Sequence, residues 1–297
     1  ICENPVLNNG RIISAKRVVT TMNEVDYDGF KRFYKWKNKR IKNMRIYEKQ
    51  YLPTEFVKAI LKLYEDKTIL KGVRGKEVEY LKSKGMLNSA YGMCVTDIVR
   101  DDILFDNDED DPYKKVKIYK DDEEKGKRIL DYNGSFNRFI FFPWGVWVTA
   151  HARHNLFTAI IECGNDYVYA DTDSIKIVNA EKHQAYFEAY NESIKKLIEK
   201  SSKNNFIDLS MYSPKTKEGK TKTIGVWDDD GEYRYFKTLG AKRYIYLGWD
   251  NKHHKWKWNL TVAGLHKQYG MDYIRSLYRA KRWRERAHFA AQGTKGV

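Results

Sequence analysis

Cysteine and proline are scarce in this chain, at 3 and 5 among 297 residues. Cys2, Cys94 and Cys163 are far apart and odd in number, which excludes a disulfide framework and any paired-cysteine zinc or redox site. A reducing compartment fits that usage. Glycine, at 19 residues, and proline are too few for a collagen-like or low-complexity chain. No apolar run approaches the roughly 20 residues that cross a bilayer. The longest, Phe139 to Ala150, is broken by Pro143 and Gly145. The opening Ile-Cys-Glu-Asn-Pro carries an acid and a proline where a secretory signal needs a basic start and an apolar core. A soluble protein with no membrane partner and no route of secretion is therefore expected. Acids are the scarcer charge: 40 Asp and Glu against 55 Lys and Arg leave +15, a surplus whose field draws in polyanions, above all nucleic acid.

What is present suffices for a core. The chain is 42% hydrophobic and 14% aromatic, and its length suggests two domains at about 150 residues each. The isoleucine start and the small, polar end from Gln292 to Val297 suggest cuts through a longer protein. Arg17 to Met22 is β-branched and reads as a strand, Asp26 to Tyr34 as a short helix, and Met44 to Tyr51 as another strand. Lys35 to Lys42 between them is strongly basic. Pro53 and Thr54 open a helix through Tyr64 with Phe56, Ile60, Leu61 and Tyr64 as its apolar stripe. A second helix from about Lys76 to Tyr91 follows a connection containing Gly72 and Gly75, which makes a helical hairpin. Two acidic runs within Asp101 to Lys125 surround Lys115 to Tyr119 and read as an inserted hairpin. Phe139 to Phe142 reads as a strand leading into a buried helix from Gly145 to Cys163, with Val146, Thr149, Ala152, Leu156 and Ile160 on its apolar face. Two short strands, Tyr167 to Ala170 and Ser174 to Val178, flank an acidic turn; an amphipathic helix from Glu181 to about Glu199 and strands at Arg243 to Gly248 and Lys255 to Val262 complete the chain.

The acidic turn, Tyr169-Ala-Asp-Thr-Asp-Ser174, is the first chemical candidate. In an extended segment Asp171 and Asp173 share a face and can converge on one divalent cation, and hard oxygen ligands suit Mg²⁺. An ordinary hairpin turn is the plainer reading of the same residues. On the second hairpin helix Lys84, Asn88 and Tyr91 are spaced by four and three and project from one face, where a cation, an amide and a ring can hold a triphosphate, a sugar and a base. A solvated lysine above a half-buried tyrosine is the competing account. Arg275, Arg279, Arg282 and Arg286 form a cationic stripe able to follow a duplex backbone, or simply the solvated face of a helix. His151 and His154 have no cysteine or third histidine placed to complete a zinc site.

Taken in order, Lys-x-x-x-Asn-Ser-x-Tyr-Gly at 84–92 and Tyr-x-Asp-Thr-Asp-Ser at 169–174 resemble motifs B and C of family B DNA polymerases, and Lys242-Arg-Tyr244 resembles their Lys-x-Tyr motif. Pro143-Trp-Gly-Val-Trp-Val-Thr-Ala-His-Ala-Arg153, Gly225-Val-Trp227 and Ala263-Gly-Leu265 are similar to segments of the protein-primed phage branch. The resemblance implies an α+β fold: an antiparallel palm sheet backed by helices, helical-hairpin fingers, a small β insertion and a partial thumb. Its parts would be the end of a first terminal-protein region and a palm connection (1–52), fingers with motif B (53–94), an insertion like the second terminal-protein region (95–138), palm with motif C and Lys-x-Tyr (139–250), and partial thumb (251–297). The family's motif A, Asp-x-x-Ser-Leu-Tyr-Pro, and its exonuclease motifs do not occur here, so the chain is expected to begin downstream of motif A.

The resemblance further implies template-directed DNA synthesis in viral genome replication, in the cytoplasm of an infected bacterial host. Nucleotidyl transfer from dNTPs to a primer 3′-hydroxyl would use Mg²⁺, with Mn²⁺ as a substitute. Asp173 would be the indispensable carboxylate and Asp171 its tuning neighbour, both at the metal. Lys84, Asn88 and Tyr91 would bind the nucleotide; Lys242 and Tyr244 would hold the primer end. DNA template and primer, a terminal protein and the missing N-terminal polymerase segment are the implied partners. The insertion would close a ring around DNA, its contacts coming from Lys114, Lys115, Lys117 and Lys120. A non-catalytic DNA- or nucleotide-binding piece of a polymerase is the main alternative; an RNA-directed polymerase lacks its hallmark pair of adjacent aspartates here.

Overall fold

The computed structural model describes residues 1–8, 11–105, 115–118, 120–136, 138, 141–250, 253–264 and 270. In chain order its elements are β1 (Cys2–Glu3), β2 (Val6–Asn8), β3 (Arg11–Ser14), β4 (Arg17–Val18), α1 (Glu24–Phe33), α2 (Thr54–Leu70), α3 (Glu77–Cys94), β5 (Asp102–Phe105), β6 (Lys115–Ile118), α4 (Asp122–Gly134), α5 (Phe142–Cys163), β7 (Tyr167–Asp171), β8 (Ser174–Ile177), α6 (Gln184–Asn205), β9 (Tyr233–Gly240), β10 (Arg243–Asp250) and β11 (Lys255–Val262). Helices and antiparallel strands are thus mixed. Among the described residues the strands form five small sheets: β1-β4, β2-β3, β5-β6, β7-β8 and the three-stranded β11-β10-β9. The chain divides into two units, one comprising Ile1–Met22, Leu156–Phe187 and the segment from Trp227 onward, the other Asn23–Asn155 and Glu188–Val226.

In the second unit α2 and α3 pack side by side as a hairpin. Their connection turns at Gly72 and Gly75, whose φ of 72° and 78° are left-handed values that a side chain would strain. The buried face of α2 follows from helical spacing: Val57, Leu61, Tyr64 and Thr68 fall on one line. Leu61 packs with Ile207 and Tyr212, joined by Val57, Ile198, Met211 and Ile224, to form the core of this unit. Polar groups at its edge are satisfied, with Tyr64 donating to the Lys222 carbonyl at 3.3 Å and Thr54 to the Asn205 amide oxygen at 3.1 Å.

α1 begins at Asn23, whose side chain caps the helix by accepting from the Asp26 amide at 2.8 Å. The acids of its first two turns are held by α5. Trp147 Nε1 donates to Glu24 at 3.1 Å, Arg153 grips Asp26 with two bonds of 2.9 and 2.8 Å, and His154 lies 3.6 Å from Asp28. Gly145 is fixed by packing rather than conformation: a Cβ there would lie 2.2 Å from Val95 Cγ1.

Several sequence expectations are corrected. Residues 44–51 form no strand; Met44 and Ile46 are exposed, and among the described residues no neighbouring strand satisfies their backbone. The strand expected from Arg17 to Met22 shrinks to Arg17–Val18, the part that pairs with Cys2–Glu3. Phe142 opens α5 instead of ending a strand, and residues 139–140 lie outside the described residues. Ala152 is exposed; Gly145, Ala150, Ala159 and Cys163 are the buried positions of α5. The insertion does contain a β5-β6 hairpin, but the second acidic run caps a helix: Asp121 accepts from the Glu124 amide at 2.8 Å while Glu124 accepts from the Asp121 amide at 3.3 Å. Lys120 cannot serve DNA, because its side chain is 6% exposed, donates to the Arg100 carbonyl at 2.9 Å and pairs with Asp102 at 2.8 Å.

Candidate active site

The first unit brings together two of the three sequence motifs. β7 and β8 form a hairpin in which Asp171 faces Ser174, leaving Thr172 and Asp173 as the two-residue turn. Thr172 has φ 57°, a left-handed value that a β-branched residue adopts only when its surroundings impose it. Those surroundings are local. The Asp171 carbonyl accepts from the Asp173 amide at 2.7 Å and from the Ser174 hydroxyl at 3.2 Å, and Thr172 Oγ1 donates to the Asp171 carboxylate at 3.0 Å. This corrects the extended-segment argument: period-2 alternation ends at Asp171, so Asp171 and Asp173 do not share a face through strand geometry. Asp173 projects from an exposed turn position, and no hydrogen bond or ion pair to its carboxylate forms among the described residues.

β9 and β10 are joined by a second tight turn, with Gly240 at φ 129° and Lys242 at φ 54°. It docks on the first. The Lys242 amide donates to the Tyr169 hydroxyl at 2.9 Å, and its ammonium meets both Asp171 carboxylate oxygens at 2.6 and 2.9 Å. That hydrogen-bonded ammonium holds the Asp171 carboxyl below the ordinary carboxylate range, and the Asp171 carboxylate in turn pushes Lys242 up. Beneath the pair Tyr169, 8% exposed, packs against Tyr244 and Phe236 with ring centroids 5.1 and 5.6 Å apart. The Ala263 amide closes the far side by donating to the Lys242 carbonyl at 3.0 Å. A cavity of about 280 Å³ opens beside these residues, lined by Phe157, Ile160, Tyr169, Asp171, Thr172 and Lys242 among others.

Sequence reasoning placed Lys242 and Tyr244 in one role and Asp171 in another. The structure makes Lys242 and Asp171 partners and puts Tyr244 in the aromatic floor. Tyr169 and Phe236 escaped notice as site residues; Tyr169 is the first letter of its own motif, whereas nothing in the sequence marks Phe236. In the other unit Lys84, Asn88 and Tyr91 all lie on α3 and are exposed, with Lys84 Nζ 6.0 Å from the Tyr80 ring. Arg275, Arg279, Arg282 and Arg286, like Leu265 and Lys114, lie outside the described residues. Among the described residues no group of three histidine, cysteine or acidic side chains is gathered as a metal site, and no helix is long and apolar enough to cross a membrane.

No family model and no solved structure matches the chain. Two curated proteins do: the DNA polymerases of Bacillus phage Nf and Bacillus phage M2, each 27% identical over 163 residues. The match covers 55% of this chain and 21% of each relative, so the chain spans about a fifth of the length of the curated relatives it matches. Over more than half of its residues the chain is distantly similar to phage DNA polymerases.

Proposed function

We propose that the chain is the motif B and motif C portion of a DNA-directed DNA polymerase of the protein-primed phage type, working in viral replication inside an infected bacterial cell. One observation carries most of this reading: the Tyr-x-Asp-Thr-Asp-Ser turn and the Lys-x-Tyr turn, 71 residues apart at Asp171 and Lys242, close on each other through paired hydrogen bonds. Likeness to the Nf and M2 polymerases supports it. On this reading the β7-β8 hairpin and the strands β9 and β10 belong to the palm, α2 and α3 are the fingers, the β5-β6 hairpin with α4 is the terminal-protein-region insertion, and 251–297, with β11, begin the thumb.

The donor set fits Mg²⁺, which binds through one or two carboxylates together with substrate phosphates. Asp173 offers an exposed, unengaged carboxylate, while the Asp171 carboxylate is already satisfied by Lys242. When bound, paired divalent ions stabilise the attacking and leaving oxygens of an in-line displacement. The rest falls to the protein. Lys84 neutralises triphosphate charge as a compact point charge. Asn88 orients the nucleotide, Tyr91 packs on the nascent base pair, Lys242 and Tyr244 hold the primer end, and the arginines at 275–286 follow the duplex backbone. A terminal protein supplies the priming hydroxyl.

A primer-extension assay tests the reading: the chain alone, then with a segment carrying the motif A aspartate added in trans, given primer-template, dNTPs and Mg²⁺. Extension in the combined reaction that Asp173→Ala removes is expected. Binding of primer-template without any extension in either reaction would favour the non-catalytic alternative.

A further inference from the structure

The chain between α1 and α2 is a charged strap that the candidate active site does not use. Residues 35–51 form neither helix nor strand, and every one of them is exposed. They carry seven cations, Lys35, Lys37, Lys39, Arg40, Lys42, Arg45 and Lys49, against one acid, Glu48. None of the seven forms an ion pair among the described residues. The acids that could have neutralised the strap, those of α1, are engaged elsewhere: Asp26 by Arg153, Asp28 by Lys31 and Arg32, and Glu24 by the Trp147 indole. An uncompensated positive field follows.

A merely solvated run of charge has no use for large rings, yet three interrupt this one. Trp36, Tyr47 and Tyr51 are 40%, 48% and 60% exposed. Each is held at a margin that leaves ring surface open. Trp36 leans on Tyr27 at 6.0 Å, Tyr47 meets Trp147 edge-on at 5.5 Å, and Tyr51 has Lys200 Nζ 6.0 Å from its centroid. Lys39 ties the strap down by donating to the Tyr27 hydroxyl at 2.5 Å. Cations along an extended backbone with rings interleaved are the two ingredients of a single-strand platform: charge tracks phosphate, and any base can stack on an open aromatic face. A duplex offers phosphates but keeps its bases stacked inside, so the rings would go unused.

We propose that residues 35–51 bind single-stranded nucleic acid, with phosphates on the basic side chains and bases stacked on Trp36, Tyr47 and Tyr51. The proposal deepens the polymerase reading, on which it rests only for naming the bound strand as template. Binding is measured without nucleotides or metal, by fluorescence anisotropy of labelled oligo(dT) and of a hairpin duplex, as a function of salt. Oligo(dT) should bind more tightly than duplex. Replacing Lys35, Lys37, Arg40 and Lys42 with alanine should make the log affinity versus log salt slope shallower by about 3, from about 0.7 per lost phosphate contact on a single strand. Tyr51→Ala should weaken oligo(dT) binding by about tenfold with the slope unchanged, and Tyr51→Trp should restore it. An unchanged slope in the charge variant overturns the proposal. So does a reduced slope with equal duplex affinity and no effect of Tyr51→Ala, which would mean backbone attraction alone. Capture by phosphatidylserine vesicles without oligo(dT) binding would overturn it in favour of a membrane surface. Oligo(dT) binding that behaves as expected, with no primer extension even when the motif A segment is added, would retain the strap and reject the catalytic polymerase reading.

Discussion

Removing one hydroxyl, in Tyr169→Phe, isolates the bond that docks the Lys-x-Tyr turn on the acidic turn. The phenylalanine keeps the ring contacts at 5.1 Å to Tyr244 and 5.6 Å to Phe236 and loses only the acceptor for the Lys242 amide at 2.9 Å. A typical intramolecular hydrogen bond contributes about 1 kcal/mol net, within roughly 0.5–1.5. Tyr169→Ala would lose that and the buried ring as well, a change of roughly 3–5 kcal/mol for an aromatic truncated in a core. Urea unfolding of the three proteins should therefore order them wild type, Phe, Ala, with the Phe variant much nearer wild type. The same variant tests the ion pair. Because Lys242 depresses the Asp171 carboxyl, the pair's stabilisation is present above the ordinary aspartate value of about 3.9 and is lost as pH falls through the lower folded value. Loosening the Lys242 backbone should move the Asp171 carboxyl back toward its ordinary value, read by carboxyl carbon NMR shifts. A Phe variant as unstable as Ala, or one indistinguishable from wild type in both stability and Asp171 titration, would refute the docking role.

Asp171→Asn should flatten the loss of stability below about pH 4 relative to the wild type, in acid titrations followed by circular dichroism, because Lys242 holds the Asp171 carboxyl down. Gly145→Ala should destabilise by roughly 1–3 kcal/mol in thermal or urea unfolding, since its new Cβ meets Val95 Cγ1 at 2.2 Å in packed surroundings. In a complete polymerase, Asp173→Ala should remove synthesis while leaving duplex affinity largely intact, with a milder loss for Asp171→Ala; equal losses would exchange or merge their roles. Lys84→Ala should raise the nucleotide KM, lower kcat, or both, with DNA affinity little changed and only partial recovery in Lys84→Arg; unchanged kinetics would return it to an ordinary surface lysine.

Helical periodicity made the chain legible where a buried stripe was long. α2 and α3 appear with their glycine turn, β11 spans the residues that its composition marks, and α6 starts three residues later than expected, at Gln184, and runs on to Asn205. The failures share a cause, namely that a local pattern cannot tell which partner will arrive. Met44 to Tyr51 has alternation but, among the described residues, no strand to pair with, and Lys120 looks like its lysine neighbours yet meets Asp102 and a carbonyl as it is buried. The acids at 121–124 read as surface charge, although in the fold they answer the unpaired amides at the start of α4. Helix-end chemistry was there to be read in the Asp-x-x-Glu spacing of a capping box.

At the site the limits of sequence reading are more instructive. Asp171 and Asp173 look equivalent in Asp-Thr-Asp, and only the turn separates them: one carboxylate receives an ammonium and a hydroxyl, the other points outward from an exposed position. The turn that does this is not one its sequence favours. Two-residue hairpin turns with left-handed backbone draw glycine, asparagine or aspartate, and Thr172 is β-branched. Lys242, the other half of the ion pair, sits at a left-handed φ as well. Residues in such conformations cost of order 1–3 kcal/mol each and persist where surrounding contacts over-determine them. Both costs fall on the two residues that flank a single carboxylate, and hydrogen bonds to Asp171 offset both. Local preference is overruled at the same place on both turns, which is where a functional constraint, rather than folding alone, would be expected to act.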